Sequence, residues 1–187
     1  MSKTVVILTG LPGTGKTIAG NFFVNKNIPV IRMGDITGSY LKKQKLQSTE
    51  ENEYKIRRKL RGIYGLDVYA RKNIRQIFSI LKKNNLAVVE GMRSPEEYKY
   101  FKRYLSSIKI IFLESRKQIR IKRLIKRISR NLSEKDIKKR DDYEINDLKI
   151  NSLKKTADFI IRNNDSKDNF FRQLHHIINS VNNNDGD

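Results

Sequence analysis

Apolar residues follow two alternating rhythms along this chain. Short runs rich in β-branched residues mark buried strands, and recurrence every three or four residues marks helices with one buried face. Thr4-Val5-Val6-Ile7-Leu8 is the first run, and Ile18, Ala19, Phe22 and Phe23 then recur at helical spacing. Pro29-Val30-Ile31-Arg32-Met33 predicts a second strand, ended by Gly34. Residues 35–66 read as irregular at first, then helical around Tyr54 to Ile63, with Ile56, Leu60 and Ile63 as the stripe and Gly62 and Gly65 as breaks. A stronger helix runs from Asp67, its expected cap, to Lys83, with Ile74, Ile77, Phe78 and Leu81 on one face. Leu86-Ala87-Val88-Val89-Glu90 predicts the third strand, ended by Gly91. Ser94-Pro95-Glu96-Glu97 opens the next helix, with serine at the cap, proline first and carboxylates in the first turn. Ile108 to Leu113 is the fourth strand, and residues 116–130 predict a helix burying Ile121, Leu124, Ile125 and Ile128. Ala157 to Ile161 is the fifth strand, and the last helix buries Phe170, Leu174, Ile177, Ile178 and Val181 before a frayed tail at 182–187.

Strands separated by helices predict right-handed crossovers, hence an α/β fold with a five-stranded parallel sheet covered on both faces. Residues 1–181 read as one domain with a sizeable core. Ligands bind such sheets beyond the carboxyl ends of the strands. The residues just after each strand are therefore the functional shortlist: Gly10 to Thr17, Gly34-Asp35, Glu90-Gly91-Met92-Arg93, Glu114-Ser115-Arg116 and Arg162-Asn163-Asn164.

The first of these carries the clearest chemistry. Gly10-Leu11-Pro12-Gly13-Thr14-Gly15-Lys16-Thr17 has the form G-x-x-x-x-G-K-[ST], between a predicted strand and a predicted helix. Glycines let backbone N–H groups turn inward onto one anion, at a helix N-terminus that favours it. In this pattern Lys16 reaches the β- and γ-phosphates of ATP and the Thr17 hydroxyl takes a place on Mg²⁺. At the end of the third strand Glu90 can hold a metal-bound water, or cap the turn at Gly91. Asp35, after the second strand, is either a base for an acceptor hydroxyl or a helix N-cap. Arg93 points into the same cleft, and Arg93 or Arg71 could clamp an acceptor phosphate; for Arg71 a solvated helix face is the alternative.

Composition narrows the setting. There is no cysteine, which excludes disulfides, thiolate catalysis and zinc–sulfur sites. The adjacent His175 and His176 do not share a helix face, which argues against a metal site there. No apolar run approaches a membrane span and no signal-peptide pattern opens the chain, so a cytoplasmic protein without a membrane partner is expected. The net charge is +20, and it is localised. Residues 41–83 hold 13 basic and 4 acidic side chains and residues 115–141 hold 12 and 3, together +18. Arg116, Arg120, Arg123, Arg127 and Arg130 form one stripe at helical spacing. Such charge suits a polyanionic small acceptor or a nucleic acid.

With these motifs placed, the chain resembles the P-loop kinases of nucleosides, nucleotides and cofactors. It is most similar to an archaeal family of uncharacterised proteins described as related to dephospho-coenzyme A kinase. The resemblance rests on Gly10 to Thr17, PVIRMGD at 29–35, YGLDVYAR at 64–71, VEGMRS at 89–94, RLIKR at 123–127, KRD at 139–141 and ADFIIRNN at 157–164. It implies an acceptor-binding insert at about 35–83 and a mobile lid at about 116–147, and the two basic segments fall on them. It further implies Asp35 facing the acceptor hydroxyl, Arg123 and Arg127 reaching the ATP phosphates, Arg140 as a third lid cation and Asn163 in the loop against adenine. The chain departs from the family in ending its third strand with glutamate rather than aspartate. The function implied is γ-phosphoryl transfer from ATP to an anionic, nucleotide-like acceptor: the ribose hydroxyl of dephospho-coenzyme A first, a nucleoside or nucleotide second. A nucleic-acid-associated NTPase or polynucleotide kinase, and a regulatory ATP binder without transfer, are the competing classes. Charge location favours the small acceptor, since residues 142–187 are net acidic. No pattern speaks to oligomeric state.

Overall fold

A computed structural model describes residues 3–127 and 132–183, the side chains of 182 and 183 excepted. Ile128, Arg130 and most of the expected tail thus lie outside the described residues. Five strands form one parallel sheet: β1 (Thr4–Thr9), β2 (Val30–Arg32), β3 (Leu86–Met92), β4 (Ser107–Glu114) and β5 (Phe159–Arg162), in the order β2-β3-β1-β4-β5. β1 is central and buried throughout, which its unbroken apolar run requires. The sheet is covered on both faces, and strand alternation sorts the core into two layers. Val5, Ile7, Val89 and Ile110 face one layer, under α2 (Asp35–Lys43), α3 (Glu50–Tyr64), α4 (Val68–Leu81) and α5 (Pro95–Tyr104). Val6, Leu8, Val88 and Ile111 face the other, under α1 (Lys16–Val24) and α8 (Lys167–Asn183). Beyond β4 lie α6 (Lys117–Ile125), α7 (Glu134–Asp142), a π-turn (Tyr143–Asp147) and a 3₁₀ segment (Ile150–Thr156). Among the described residues no helix is long and apolar enough to cross a membrane.

All five strands stand where the apolar runs predict them. The helices of the basic segments depart more from expectation. The stretch after Gly34 is helical at once, as α2, rather than irregular. α3 starts at Glu50, where Thr49 accepts a hydrogen bond from the Asn52 N–H, and it runs through Gly62 to end at Gly65, whose φ is +89°. Ile63, expected in its buried stripe, is 60% exposed; the buried face instead carries Ile56 and Leu60 with Glu53, Arg57 and Arg61. Phe78 on α4 and Ile18 on α1 are likewise exposed, and Asp67 makes no side-chain cap bond, pairing with Arg71 instead. The helix expected at 116–130 ends at Ile125, which is exposed. Leu132 and Ile137 fold back onto Leu124, and a capping box of Ser133 and Asp136 starts α7 there. Closing that small separate core outweighs continuing one helix. Gly91 does not end β3; it is a bulge with φ +102°, across which Leu8 pairs with Glu90 but Thr9 with Met92. Ser94 and Pro95 open α5 as expected, with Ser94 Oγ accepting from the Glu97 N–H at 3.2 Å.

The corrected stripe of α4 is open to measurement. Ile77→Ala, at a fully buried position, should cost about 2–5 kcal/mol in urea unfolding, and Phe78→Ala less than about 1. Equal losses would contradict the assigned faces.

Candidate functional site

The loop from Gly10 to Gly15 lies between the carboxyl end of β1 and α1, flanked by β4, α6 and the segment after β5. Gly10, Gly13 and Gly15 all have φ between +82° and +133°. A Cβ on Gly10 would stand 2.1 Å from the Leu113 carbonyl oxygen, one on Gly13 would meet Arg120, and one on Gly15 would come 2.4 Å from Asn163 Nδ2. Backbone strain and close packing therefore both demand glycine.

Each loop carbonyl from Gly10 to Thr14 accepts a hydrogen bond from a named side chain. Lys16 Nζ donates to Gly10 O (2.5 Å) and Leu11 O (2.9 Å), and Thr14 Oγ1 also donates to Leu11 O (2.8 Å). Arg120 Nη1 donates to Pro12 O (2.9 Å), Arg123 Nη1 to Gly13 O (3.4 Å) and Asn163 Nδ2 to Thr14 O (2.9 Å). With its carbonyls taken up by side chains, the loop has N–H groups left to meet an anion, apart from that of Thr14, which bonds the Leu11 carbonyl at 3.4 Å. α1, capped at Gly15, has no acidic residue in its first turn, which keeps its positive end uncompensated.

Lys16 is buried, and its ammonium is held well below the usual lysine range, first by burial, then by the neighbouring Arg93, with Arg140 and Arg127 acting in the same direction and Glu90 opposing them. Thr17 Oγ1 donates to Glu90 Oε1 at 2.8 Å. The other oxygen, Oε2, is buried without a hydrogen bond, 3.4 Å from Arg32 Nε and 3.0 Å from where a Cβ on Gly20 would stand. A hydroxyl and a carboxylate with a spare oxygen fit a hard, oxygen-seeking cation such as Mg²⁺, which takes few protein ligands and keeps waters and phosphates.

The arginine stripe divides by function of place. Arg120 is buried, bound through Nη1 and Nη2 to both Asp141 oxygens (3.0 and 2.6 Å), so it clamps α7 onto the loop. Arg123 also donates to Ser115 Oγ (3.2 Å) and to Asn163 O and Oδ1 (3.0 and 3.3 Å), and burial lowers its pKa. Arg127 is exposed just past α6, and Arg116 is exposed at its start. Asn163 is buried, with both ends of its amide used inside the protein.

Facing the loop from the other layer is a second charged constellation. Arg140 donates to Glu144 Oε1 (3.1 Å) and Glu50 Oε2 (2.9 Å); Arg57 pairs with Glu50 and with Glu53 (2.9 Å); Arg61 with Glu97 (3.1 Å); and Arg93 with Glu144. Arg93 is pushed well below the usual arginine range by burial and then by Arg140, Arg57 and Arg61, and Arg140 is lowered to about 10 by burial and by Arg57. Asp35 is exposed and is the first residue of α2 at the carboxyl end of β2; the N-cap is Gly34, so Asp35 does not take the capping place. Arg71 is tied at its helix start to Asp67 (3.2 Å) and the Tyr64 carbonyl, apart from these contacts. Sequence reasoning missed Arg57, Arg61, Glu50 and Glu144 as individuals. The available signal was the four-residue spacing of Glu53, Arg57 and Arg61 beside Ile56 and Leu60, which places charge on a buried face.

The model of the AAA-domain family matches residues 6–149. Over 176 residues, 93% of this chain and 94% of the relative, the sequence is 31% identical to a UPF0200 protein of Methanococcus vannielii. This chain belongs to the AAA-domain family and, within it, to the UPF0200 proteins. A UPF0200 protein of Pyrococcus abyssi is 31% identical over 182 residues, 95% of this chain and 96% of that one. Among solved structures, a shikimate kinase from Acinetobacter baumannii in complex with shikimate aligns with a TM-score of 0.63 at 12% identity, covering 100% of this chain and 97% of its own. A dephospho-CoA kinase from Campylobacter jejuni aligns at 0.57 with 20% identity, covering 96% and 98%. At such identities the likeness is one of fold, and the fold of this UPF0200 chain is that of the P-loop kinases.

Nucleotide binding to this UPF0200 loop should carry a proton signature. Burial and nearby cations lower the Lys16 pKa, and an anion beside it raises that pKa again. At a pH between the lowered value of the free protein and the raised value of the complex, binding should take up a proton. Calorimetric titrations of a nucleoside triphosphate in buffers of different ionisation heat would show it; identical heats in all buffers would refute it.

Proposed function

We propose that this UPF0200 protein is an ATP-dependent, Mg²⁺-requiring small-molecule kinase that transfers the γ-phosphoryl group to a hydroxyl of an anionic, nucleotide-like acceptor. The observation that carries this reading is the Thr17–Glu90 hydrogen bond beside buried Lys16, which joins the phosphate loop to the end of a neighbouring strand. Thr17 and Glu90 are the residues to hold Mg²⁺, whose contribution when bound is to neutralise charge on the β- and γ-phosphates. The loop N–H groups not bonded within the loop are left for the phosphates. Lys16, released from Gly10 and Leu11 by the stronger anion, follows the charge that builds toward the β–γ bridging oxygen. The acceptor oxygen attacks phosphorus in line, the bond to the bridging oxygen breaks, and ADP leaves. The attacking hydroxyl's proton goes to the Asp35 carboxylate, which is exposed and does not take the capping place of α2. Arg127, and Arg123 if it gives up Asn163, reach the transferring group from α6. Asn163 serves this reaction through the loop, as a positioning residue.

The ribose hydroxyl of dephospho-coenzyme A is the leading acceptor, supported by the fold likeness to a dephospho-CoA kinase and by the cationic groups around Arg93. The buried arginines here are balanced by glutamates within one cleft, which favours a compact polyanion over a nucleic-acid strand tracked along an open surface.

Lys16→Ala should lower turnover by about 10²-fold or more with the fold retained, since it removes a donor to the transferring group. Asp35→Asn should lower turnover by about 10²–10⁴-fold and barely change ATP affinity. Both are read with labelled ATP against dephospho-coenzyme A, nucleosides, nucleoside monophosphates and short RNA. Unchanged turnover in Lys16→Ala sinks the kinase reading, and an acceptor that is itself a phosphate sinks the base role of Asp35.

A further inference from the structure

The cluster of Arg57, Arg61, Arg93 and Arg140 with Glu50, Glu53, Glu97 and Glu144 is built unevenly. Glu97 is fully buried and integral: it receives the Arg93 backbone N–H at 2.6 Å and Arg61 at 3.1 Å, and its own N–H is capped by Ser94. Glu53 accepts from Ser48 Oγ and from Arg57 within its own helix. Glu50 and Glu144 differ from these. Each is a single carboxylate gripped by two guanidiniums: Glu50 by Arg57 and Arg140, Glu144 by Arg93 and Arg140. Two arginine forks converging on one set of oxygens is the arrangement that recognises a phosphoryl group.

Nor is the cluster saturated. Glu144 Oε2 is buried without a hydrogen bond, and Arg61, whose side chain is 3% exposed, leaves Nε and Nη1 without one because its guanidinium lies over the Tyr69 ring at 4.5 Å. A buried carboxylate oxygen without a donor is costly, so Glu144 holds its place at a disadvantage that a better-matched anion would relieve. Glu144 is delivered by a π-turn, closed by the Leu148 N–H on Tyr143 O, and Glu50 stands in the first turn of α3. Both are therefore at places where the backbone can give. The cluster also lies within electrostatic reach of Lys16, whose ammonium Arg93 and Arg140 depress.

We propose that Glu50 and Glu144 are internal stand-ins for two anionic groups of the acceptor, and that a multiply phosphorylated acceptor binds by displacing them from Arg57, Arg93 and Arg140. This rests on the kinase reading above and narrows it to acceptors carrying at least two phosphoryl charges away from the reacting hydroxyl. Exchange of carboxylate for phosphate conserves the charge balance of the cleft, so buried arginines are never left bare. It also removes the Glu50–Arg140 ion pair that joins α3 to α7, while Tyr54 of α3 keeps Lys139 of α7 over its ring at 4.2 Å and Tyr143 of the π-turn against its edge. Acceptor entry is thereby linked to release of the segment clamped over the phosphate loop by Arg120.

The test uses inorganic pyrophosphate as the probe, titrated calorimetrically into full-length protein already saturated with a non-hydrolysable ATP analogue and Mg²⁺, so that the loop is occupied. Glu144→Gln, which keeps the shape and removes the competing charge, should bind pyrophosphate about tenfold tighter than the unaltered chain. Arg93→Gln should lose that binding. Glu50→Gln, at a helix start, carries the same expectation should Glu144→Gln fail to fold, and the rise in Tm with pyrophosphate reports binding independently. Pyrophosphate affinity unchanged or weakened in the glutamine variants, or retained in Arg93→Gln, overturns the inference. Tightening without phosphorylated product from any acceptor would leave the anion site standing and remove the kinase reading; product with no tightening would do the reverse.

Discussion

A backbone loop can offer its N–H groups to an anion only if its carbonyls point elsewhere, and buried carbonyls must find donors. Much of this molecule follows from meeting that demand between Gly10 and Thr14. Lys16 and Thr14 supply donors from within, while Arg120, Arg123 and Asn163 bring them from two later parts of the chain. The order of the sheet makes this possible. β1 lies between β3 and β4, so the loop after it is bordered on one side by Glu90 and on the other by the start of α6 and the end of β5. Asp141 then fixes Arg120, so residues more than a hundred positions away help hold the loop's polarity.

Buried charge is the second organising constraint. An excess of +20 suggests repulsion everywhere, yet the interior is balanced, with four arginines matched to four glutamates in the cluster and Arg120 matched to Asp141. The surplus stands where water solvates it. Removing a single partner inside would strand a charge in a poorly solvated place, which costs far more than an exposed pair returns.

The strands and the phosphate loop were legible in the sequence because both are local: five residues of β-branched apolar character, or eight residues of glycine-rich pattern, suffice. Ser94 and Pro95 were legible for the same reason. In the basic segments the helix from Asp67 was legible too, the others less so. α3 carries Arg57 and Arg61 on its buried face, so apolar periodicity undercounts that side and miscast Ile63, while on α4 it ran one residue past the buried Ile77 to Phe78. The end of α6 at Ile125 depends on Leu132 and Ile137 returning to Leu124, a long-range choice that no local signal announces. The arginine stripe announced cations near the loop but could not sort them. Arg120 is buried by a partner 21 residues on, whereas Arg127, on the same stripe, stays in solvent.

The bulge at Gly91 has a consequence in terms of insertions and deletions. Thr9 pairs with Met92 and donates its hydroxyl to the Met92 carbonyl, so the ladder recovers at once after the extra residue. Met92 returns to the layer that holds Val89, the face an uninterrupted strand would give the residue next after Glu90. Loss of one residue here would leave the two core layers in their places and change chiefly how Glu90 is aimed at Thr17. Over the history of a lineage, this is a point where the chain can alter its chemistry by length alone while its architecture carries no trace of the event.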